Sequence, residues 1–121
     1  MPYFGRTSRQ RLATCDERLQ RVLTEAIAIT DFAVLCGYRD EAAQQEAYDS
    51  GHSRLRFPQS RHNIQPSRAV DVAPYPIDWE DRERFCFLAG VILGIAHSQG
   101  IQIAWGGEWT TFPDLPHFEL A

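Results

Sequence analysis

Residues 69–73, AVDVA, set one carboxylate between two valines inside a short apolar run that Pro74 and Pro76 bring to a stop. Strand alternation sends Val70 and Val72 to one face and Asp71 to the other. One face of such a strand belongs to a core. The other must satisfy a charge, because a carboxylate in an apolar setting is expensive unless it is paired or bound to a metal. The segment therefore points to a small sheet covered by helices on one side and open on the other.

The remaining segments supply that architecture. In residues 16–29, DERLQRVLTEAIAI, the apolar positions Leu19, Val22, Leu23, Ala26 and Ile27 recur at helical spacing, with an earlier start near Ser8 as N-cap for the longer alternative. Residues 32–36 form a short apolar run before Gly37, read as a buried strand. Asp40 is suited to cap a helix over residues 41–50 that Gly51 ends. Residues 52–66, punctuated by Pro58 and Pro66, read as a loop. Asp78 is the expected cap of a long helix over residues 79–99, whose Phe85, Leu88, Ala89, Ile92, Leu93 and Ala96 make one apolar stripe, and Gly100 closes it. Residues 101–105 and 117–120 read as strands. The order α-β-α-β-α-β-β predicts a single α+β domain over residues 1–121, with a mostly antiparallel sheet.

Composition excludes several functions. All twelve positive side chains are arginine, so chemistries that need a lysine, such as a P-loop, a Schiff base or a Ser-x-x-Lys nucleophile, are absent. A net charge of −4 argues against nucleic acid as a partner. Cys15, Cys36 and Cys86 are odd in number and widely spaced, which fits free thiols better than a disulfide framework or a zinc ribbon. The apolar run at residues 85–96 is too short to span a bilayer, which takes about 20 residues. The first residues lack the hydrophobic core of a signal peptide, so synthesis in the cytoplasm is expected.

Three segments carry the chemistry: SRHNIQPSRAVD, WGGEW and FPDLPHFEL. Together they hold His62, Asp71 and His117, and two imidazoles with one carboxylate match a catalytic zinc site that keeps a position for water. On the residues alone the more ordinary reading is Asp71 paired with an arginine such as Arg68 or Arg39, with two surface histidines. His52 and His97 are assigned no role. Glu119 shares a strand face with His117 and is one candidate base; Asp114, three residues before His117, is the other. Arg39, at the end of a strand, is placed to meet a substrate carboxylate or an oxyanion; a salt bridge to Asp40 or Glu41 is the alternative.

These segments, taken in order, resemble the M15 family of zinc D,D-carboxypeptidases and L-alanyl-D-glutamate endopeptidases, which includes phage endolysins. Gly37-Tyr38-Arg39 with Gln44, Tyr48 and Gly51 resembles one family stretch, and Ser60-Arg61-His62 with Ala69-Val70-Asp71 resembles its zinc motif. Trp105-Gly106-Gly107-Glu108-Trp109 resembles a W-G-G-D-W turn, and Asp114 to Phe118 a terminal D-x-x-H. The resemblance implies one Zn2+ held by His62, Asp71 and His117 on the open sheet face. It also implies Asp114 as general base ahead of Glu119, Arg39 as a catalytic and substrate-binding cation, and Gln44, Ser60 and Trp109 near the substrate. Trp105 and Phe112 are further cleft-wall candidates.

The chain departs from the family pattern in three places. The connection from His62 to Asp71 is longer, holds Pro66 and lacks a glycine; Glu108 replaces an aspartate; and residues 110–113 are too few to form a lid. That short segment favours an endopeptidase cleft, open at both ends. The implied activity is cleavage of the L-alanyl-D-glutamate bond in peptidoglycan stem peptides by a monomer that reaches the wall by a holin-like route. The alternatives are a D-alanyl-D-alanine carboxypeptidase or dipeptidase, a muramidase using Glu108 and Glu119, and a zinc-bound binding module without catalysis.

Overall fold

A computed structural model describes residues 2–121. The helices are α1 (Arg6–Leu12), α2 (Glu17–Ile27), α3 (Glu41–Asp49) and α4 (Arg82–Ser98). The strands are β1 (Phe32–Cys36), β2 (Ala69–Pro74), β3 (Ile103–Trp105) and β4 (His117–Leu120), and short 3-10 turns cover Arg61–Asn63 and Gly106–Glu108. The strands form one antiparallel sheet in the order β1-β2-β4-β3.

The alternation read from AVDVA holds across the sheet. Val70 pairs with Phe118 and Asp71 with His117. Val70, Val72, Phe118 and Leu120 are buried in the core with Leu19, Val22, Leu23 and Ala26 of α2 and Leu88, Ala89, Ile92 and Ala96 of α4. Each large apolar side chain buried there contributes about 1.5–3 kcal/mol. Helix α4 packs against β2, β3 and α2. Asp71, His117 and Glu119 lie on the opposite face, which helix α3 flanks through Gln44 and Arg39.

Three element boundaries differ from expectation. Ser8 is not an N-cap: it lies inside the separate helix α1, and its hydroxyl accepts the Val34 amide at 3.0 Å while Arg11 donates to the Val34 carbonyl at 3.1 Å. Helix α1 thus covers the outer edge of β1, which would otherwise offer unpaired backbone groups. Helix α4 starts three residues later than read, with Asp81 as N-cap. Asp78 instead accepts the Glu80 amide, and Trp79 stacks on Phe85 with ring centroids 5.7 Å apart. Strand β3 begins at Ile103, because the Ile101 amide still bonds back to Ala96 at the helix end. Gly51 and Gly100 do stop their helices, both at positive φ.

Candidate metal centre

A break in register brings the open face together. Val34 pairs with Val72, but Cys36 pairs with Asp71, so one extra residue is accommodated between Val34 and Cys36. Regular alternation would give Cys36 the core face of Val34. The bulge turns it toward Asp71 instead, a use typical of bulges beside functional sites. Gly37 follows, packed so closely on the Thr14 hydroxyl and the Arg11 carbonyl that no side chain fits.

His62 is held from several directions. It sits in the 3-10 turn Arg61–Asn63, where the Ser60 hydroxyl accepts the His62 amide at 3.1 Å and Asn63 Oδ1 accepts the Ser60 amide at 3.0 Å. Its own carbonyl accepts the Arg39 amide at 2.8 Å. Its Nδ1 lies 2.7 Å from the Gly37 carbonyl. A carbonyl only accepts, so Nδ1 carries a proton and Nε2 is the nitrogen left for the site. That Nε2 lies 3.3 Å from Asp71 Oδ1.

His117 mirrors this arrangement. Its Nε2 donates to Glu119 Oε1 at 2.7 Å, which leaves Nδ1 directed at the same Asp71 Oδ1, 3.1 Å away. Glu119 is in turn paired with Arg61 at 3.0 Å. The other Asp71 oxygen accepts from Arg39 Nη2 at 3.1 Å. Asp71 is thus paired with Arg39 through one oxygen and faces both imidazoles with the other, and both histidines are buried and not at the surface. Arg39 is bound to neither Asp40 nor Glu41.

Electrostatics follow from this packing. Burial disfavours ionised Asp71, yet hydrogen bonds from His117 and His62, with their charge, hold its carboxyl well below the usual carboxylate range. At His62 burial disfavours the cation, but Asp71 and Cys36 outweigh it and lift its pKa to about 9. His117 is likewise raised, against burial, by its bonds to Asp71 and Glu119. Burial and then the Asp71 charge push Asp114 above an ordinary aspartate. Glu119 is lowered despite burial, because His117 donates to it.

The donor set suits a metal ion. Each imidazole has one nitrogen committed to a carbonyl or carboxylate and donates from the other to Asp71; that second nitrogen is the one a metal would take in place of the proton. Among the described residues, potential ligand atoms gather in two overlapping groups that share Asp71: Cys36 with His62, and Asp114 with His117. The rings of His62 and His117 meet edge to face, centroids 5.2 Å apart. Cys36, which sequence reading left as a plain thiol, reaches His62 at Nδ1 (4.0 Å), not at the Nε2 that faces Asp71. Only the bulge puts it there, and no sequence signal marks that bulge.

The remaining candidates divide. Trp109 packs on His117 with ring centroids 5.0 Å apart and lines the cavity with Phe112 and Asp114. Trp105 is not a wall residue: it stacks on Phe118 and donates its indole N–H to the Leu115 carbonyl at 2.8 Å, bracing the turn below. Gln44 is fully buried and its polar atoms are all engaged with neighbours, Arg39 among them. It accepts from Arg39 and Asn63 and donates to Ser53 Oγ and the Leu55 carbonyl. Ser60 is likewise spent on the His62 turn, though it borders the cavity.

Two cavities border this centre. One, of about 210 Å³, is bordered by Arg54, Trp109, Phe112 and His117. The other, of about 750 Å³, is bordered by Tyr38, Ala43, Asp71, Trp79 and Pro116. Arg39, His52 and Asp114 border both.

The chain has close relatives. A model of the phage L-alanyl-D-glutamate peptidase family matches residues 2–120. The L-alanyl-D-glutamate peptidase of Escherichia phage T5 is 31% identical over 122 residues, which cover 97% of this chain and 88% of that protein. The crystal structure of the Serratia marcescens L-Ala D-Glu endopeptidase ChiX superposes with a TM-score of 0.84 and 33% identity, covering 98% of this chain and 89% of that one.

Proposed function

The chain belongs to the phage L-alanyl-D-glutamate peptidase family, and on that premise we propose that it is a zinc-dependent peptidoglycan peptidase that hydrolyses the bond between L-alanine and D-glutamate in the stem peptide. His62 through Nε2, Asp71 through Oδ1 and His117 through Nδ1 are the proposed ligands. The observation that carries the reading is that Asp114 and Arg39 line two cavities at once, beside the nitrogens that converge on Asp71. A peptide can then lie across the site and extend on both sides, as an endopeptidase requires.

When bound, zinc supplies Lewis acidity, lowering the pKa of water and polarising the scissile carbonyl. Asp114 is the group with room to take a proton at its carboxylate from the attacking water and pass it to the leaving nitrogen. Glu119 is unsuited to that task, because His117 and Arg61 occupy its oxygens. Arg39 fixes Asp71 and borders both cavities, and this reading makes its remaining N–H groups the donors to a developing oxyanion.

The competing readings fit less well. A carboxypeptidase closes around a chain end, whereas here Asp114 borders two cavities, room enough in this reading for a chain on either side. A muramidase would need Glu108 and Glu119 as a free pair, but Glu108 is exposed and Glu119 is engaged. A binding module has no use for the half-buried carboxyl of Asp114. No helix among the described residues is long and apolar enough to cross a membrane; arrival at the wall by a holin-like route is part of the proposal.

Two measurements test it. End-group analysis of digested peptidoglycan should show new amino termini on D-glutamate; release of free D-alanine instead would overturn the bond assignment. Chelation should abolish lysis and zinc restore it. His62→Ala should lose bound zinc, whereas Asp114→Ala should keep about one zinc per chain and lose about 10²–10⁴-fold in rate. Full activity of metal-stripped protein would end the zinc reading.

A further inference from the structure

The smaller cavity has an uneven supply of charge. Three arginines border it: Arg39, Arg54 and Arg61. Arg39 is taken by Asp71 and Arg61 by Glu119. Arg54 has no carboxylate partner among the described residues. Its guanidinium carbon instead lies 4.6 Å from the centre of the Phe112 ring, on the wall of the same cavity. The loop that carries it is fastened on both sides, since buried Gln44 donates to Ser53 Oγ at 3.1 Å and to the Leu55 carbonyl at 2.7 Å. Arg54 is therefore an exposed but positioned cation, its face on an aromatic ring and its N–H edge unspent.

The proposed substrate is charged on one side of its scissile bond only. D-glutamate continues the stem through its γ-carboxyl, so its α-carboxylate stays free directly on the leaving-group side. On the acyl side, L-alanine is joined to a lactyl group and a sugar, with no charge. The larger cavity is bordered by Leu35, Tyr38, Trp79 and Pro116 and, apart from groups of the centre itself, by the carboxylate of Glu46; it offers an acid no unpaired arginine and suits the uncharged side. The cavity with Arg54 matches the acidic one.

We propose that Arg54 binds the α-carboxylate of D-glutamate, which makes it a specificity residue and orients the stem with its leaving group toward Phe112. This rests on the peptidase reading above and adds a direction of binding to it.

The test uses two soluble muropeptides that differ only at the D-glutamate α-position, one a free carboxylate and the other a carboxamide. The zinc-loaded wild type should prefer the acid by about tenfold in kcat/KM, the lower end of what a charge-assisted hydrogen bond gives when partly exposed. Arg54→Ala should bring the acid-to-amide ratio to about one, and Arg54→Lys should keep part of the preference. Arg56, in the same loop, rests on Tyr48 away from both cavities, and Arg56→Ala should keep the full ratio. A melting curve confirms that each variant is folded. The proposal is overturned if wild type shows no preference, or if folded Arg54→Ala retains it. If wild type cleaves neither peptide although it is zinc-loaded, the peptidase reading fails and this one falls with it.

Discussion

Gly106→Ala should disable the site without touching a single functional group. Gly106 is buried at the start of the Gly106–Glu108 turn, and its carbonyl accepts the Asp114 amide at 2.9 Å and the Trp109 amide at 3.2 Å. A methyl group there would run into the Asp114 carbonyl oxygen and sit 3.0 Å from Asp114 Cβ and 3.1 Å from His117 Cβ. These are main-chain and Cβ atoms, so no flexible side chain can swing aside. The segment carrying both the proposed base and a proposed ligand must move by roughly 0.5–1 Å, and a shift of that size costs about 10²-fold in rate. Overpacking of this kind destabilises by about 1–3 kcal/mol. For a domain of this size each of those is worth about 3–6 °C in melting temperature. Thermal unfolding and wall-lysis turbidity, read on the same preparation, check both numbers. A variant that melts within about 1 °C of wild type and keeps at least about half its rate would refute the steric argument.

The same substitution should have the opposite effect where space is open: Gly90→Ala and Gly94→Ala, in helix α4 with nothing within 4 Å of the new methyl, should each stabilise by about 0.5–1 kcal/mol in chemical denaturation. Glu119→Gln should weaken zinc binding about 10–100-fold, measured by chelator competition, because it loosens the bond that orients His117; the rate at saturating zinc should fall far less than in Asp114→Ala. Asp16 caps α2 and is held below the ordinary aspartate range mainly by the Arg18 guanidinium. Its contribution to stability is present above the unfolded pKa of about 4 and is lost as pH falls through the lower folded value. Asp16→Asn should therefore melt slightly below wild type at neutral pH, and the two curves should converge in strong acid.

What could be read from the sequence was what depends on short-range periodicity. Asp71 between two valines declared its face because strand alternation needs only neighbours, and Leu19 to Ile27 declared theirs through helical spacing. Gly51 and Gly100 ended their helices because positive φ is a property of the residue itself. The misses have a different origin. Asp78 and Asp81 are both good caps, and the choice fell to Asp81 because Trp79 stacks on Phe85. Ser8 was spent on the edge of β1, a partner 26 positions away. Cys36 reached the site through a bulge that leaves its local composition unmarked. Arg39, Asp71, Gln44 and Asn63 form one hydrogen-bonded cluster across separations of up to 32 positions. No local pattern encodes such a network, although each member could be nominated singly. Arg54 could not, because its importance lies in lacking a partner.

The two cavities that share Asp114 would, under the proposed activity, also bear on how a wall fails. A catalyst that needs chain ends consumes a polymer from its termini, and mass is lost long before the fabric parts. One that seats a strand from the side treats every stem as an independent target, cross-linked or not. Each cut detaches a bridge at its root in the glycan, so connectivity falls at random throughout the mesh. Random bond removal brings a network to its percolation threshold while much of the material is still present. Rupture would then be abrupt and would precede any large release of soluble fragments.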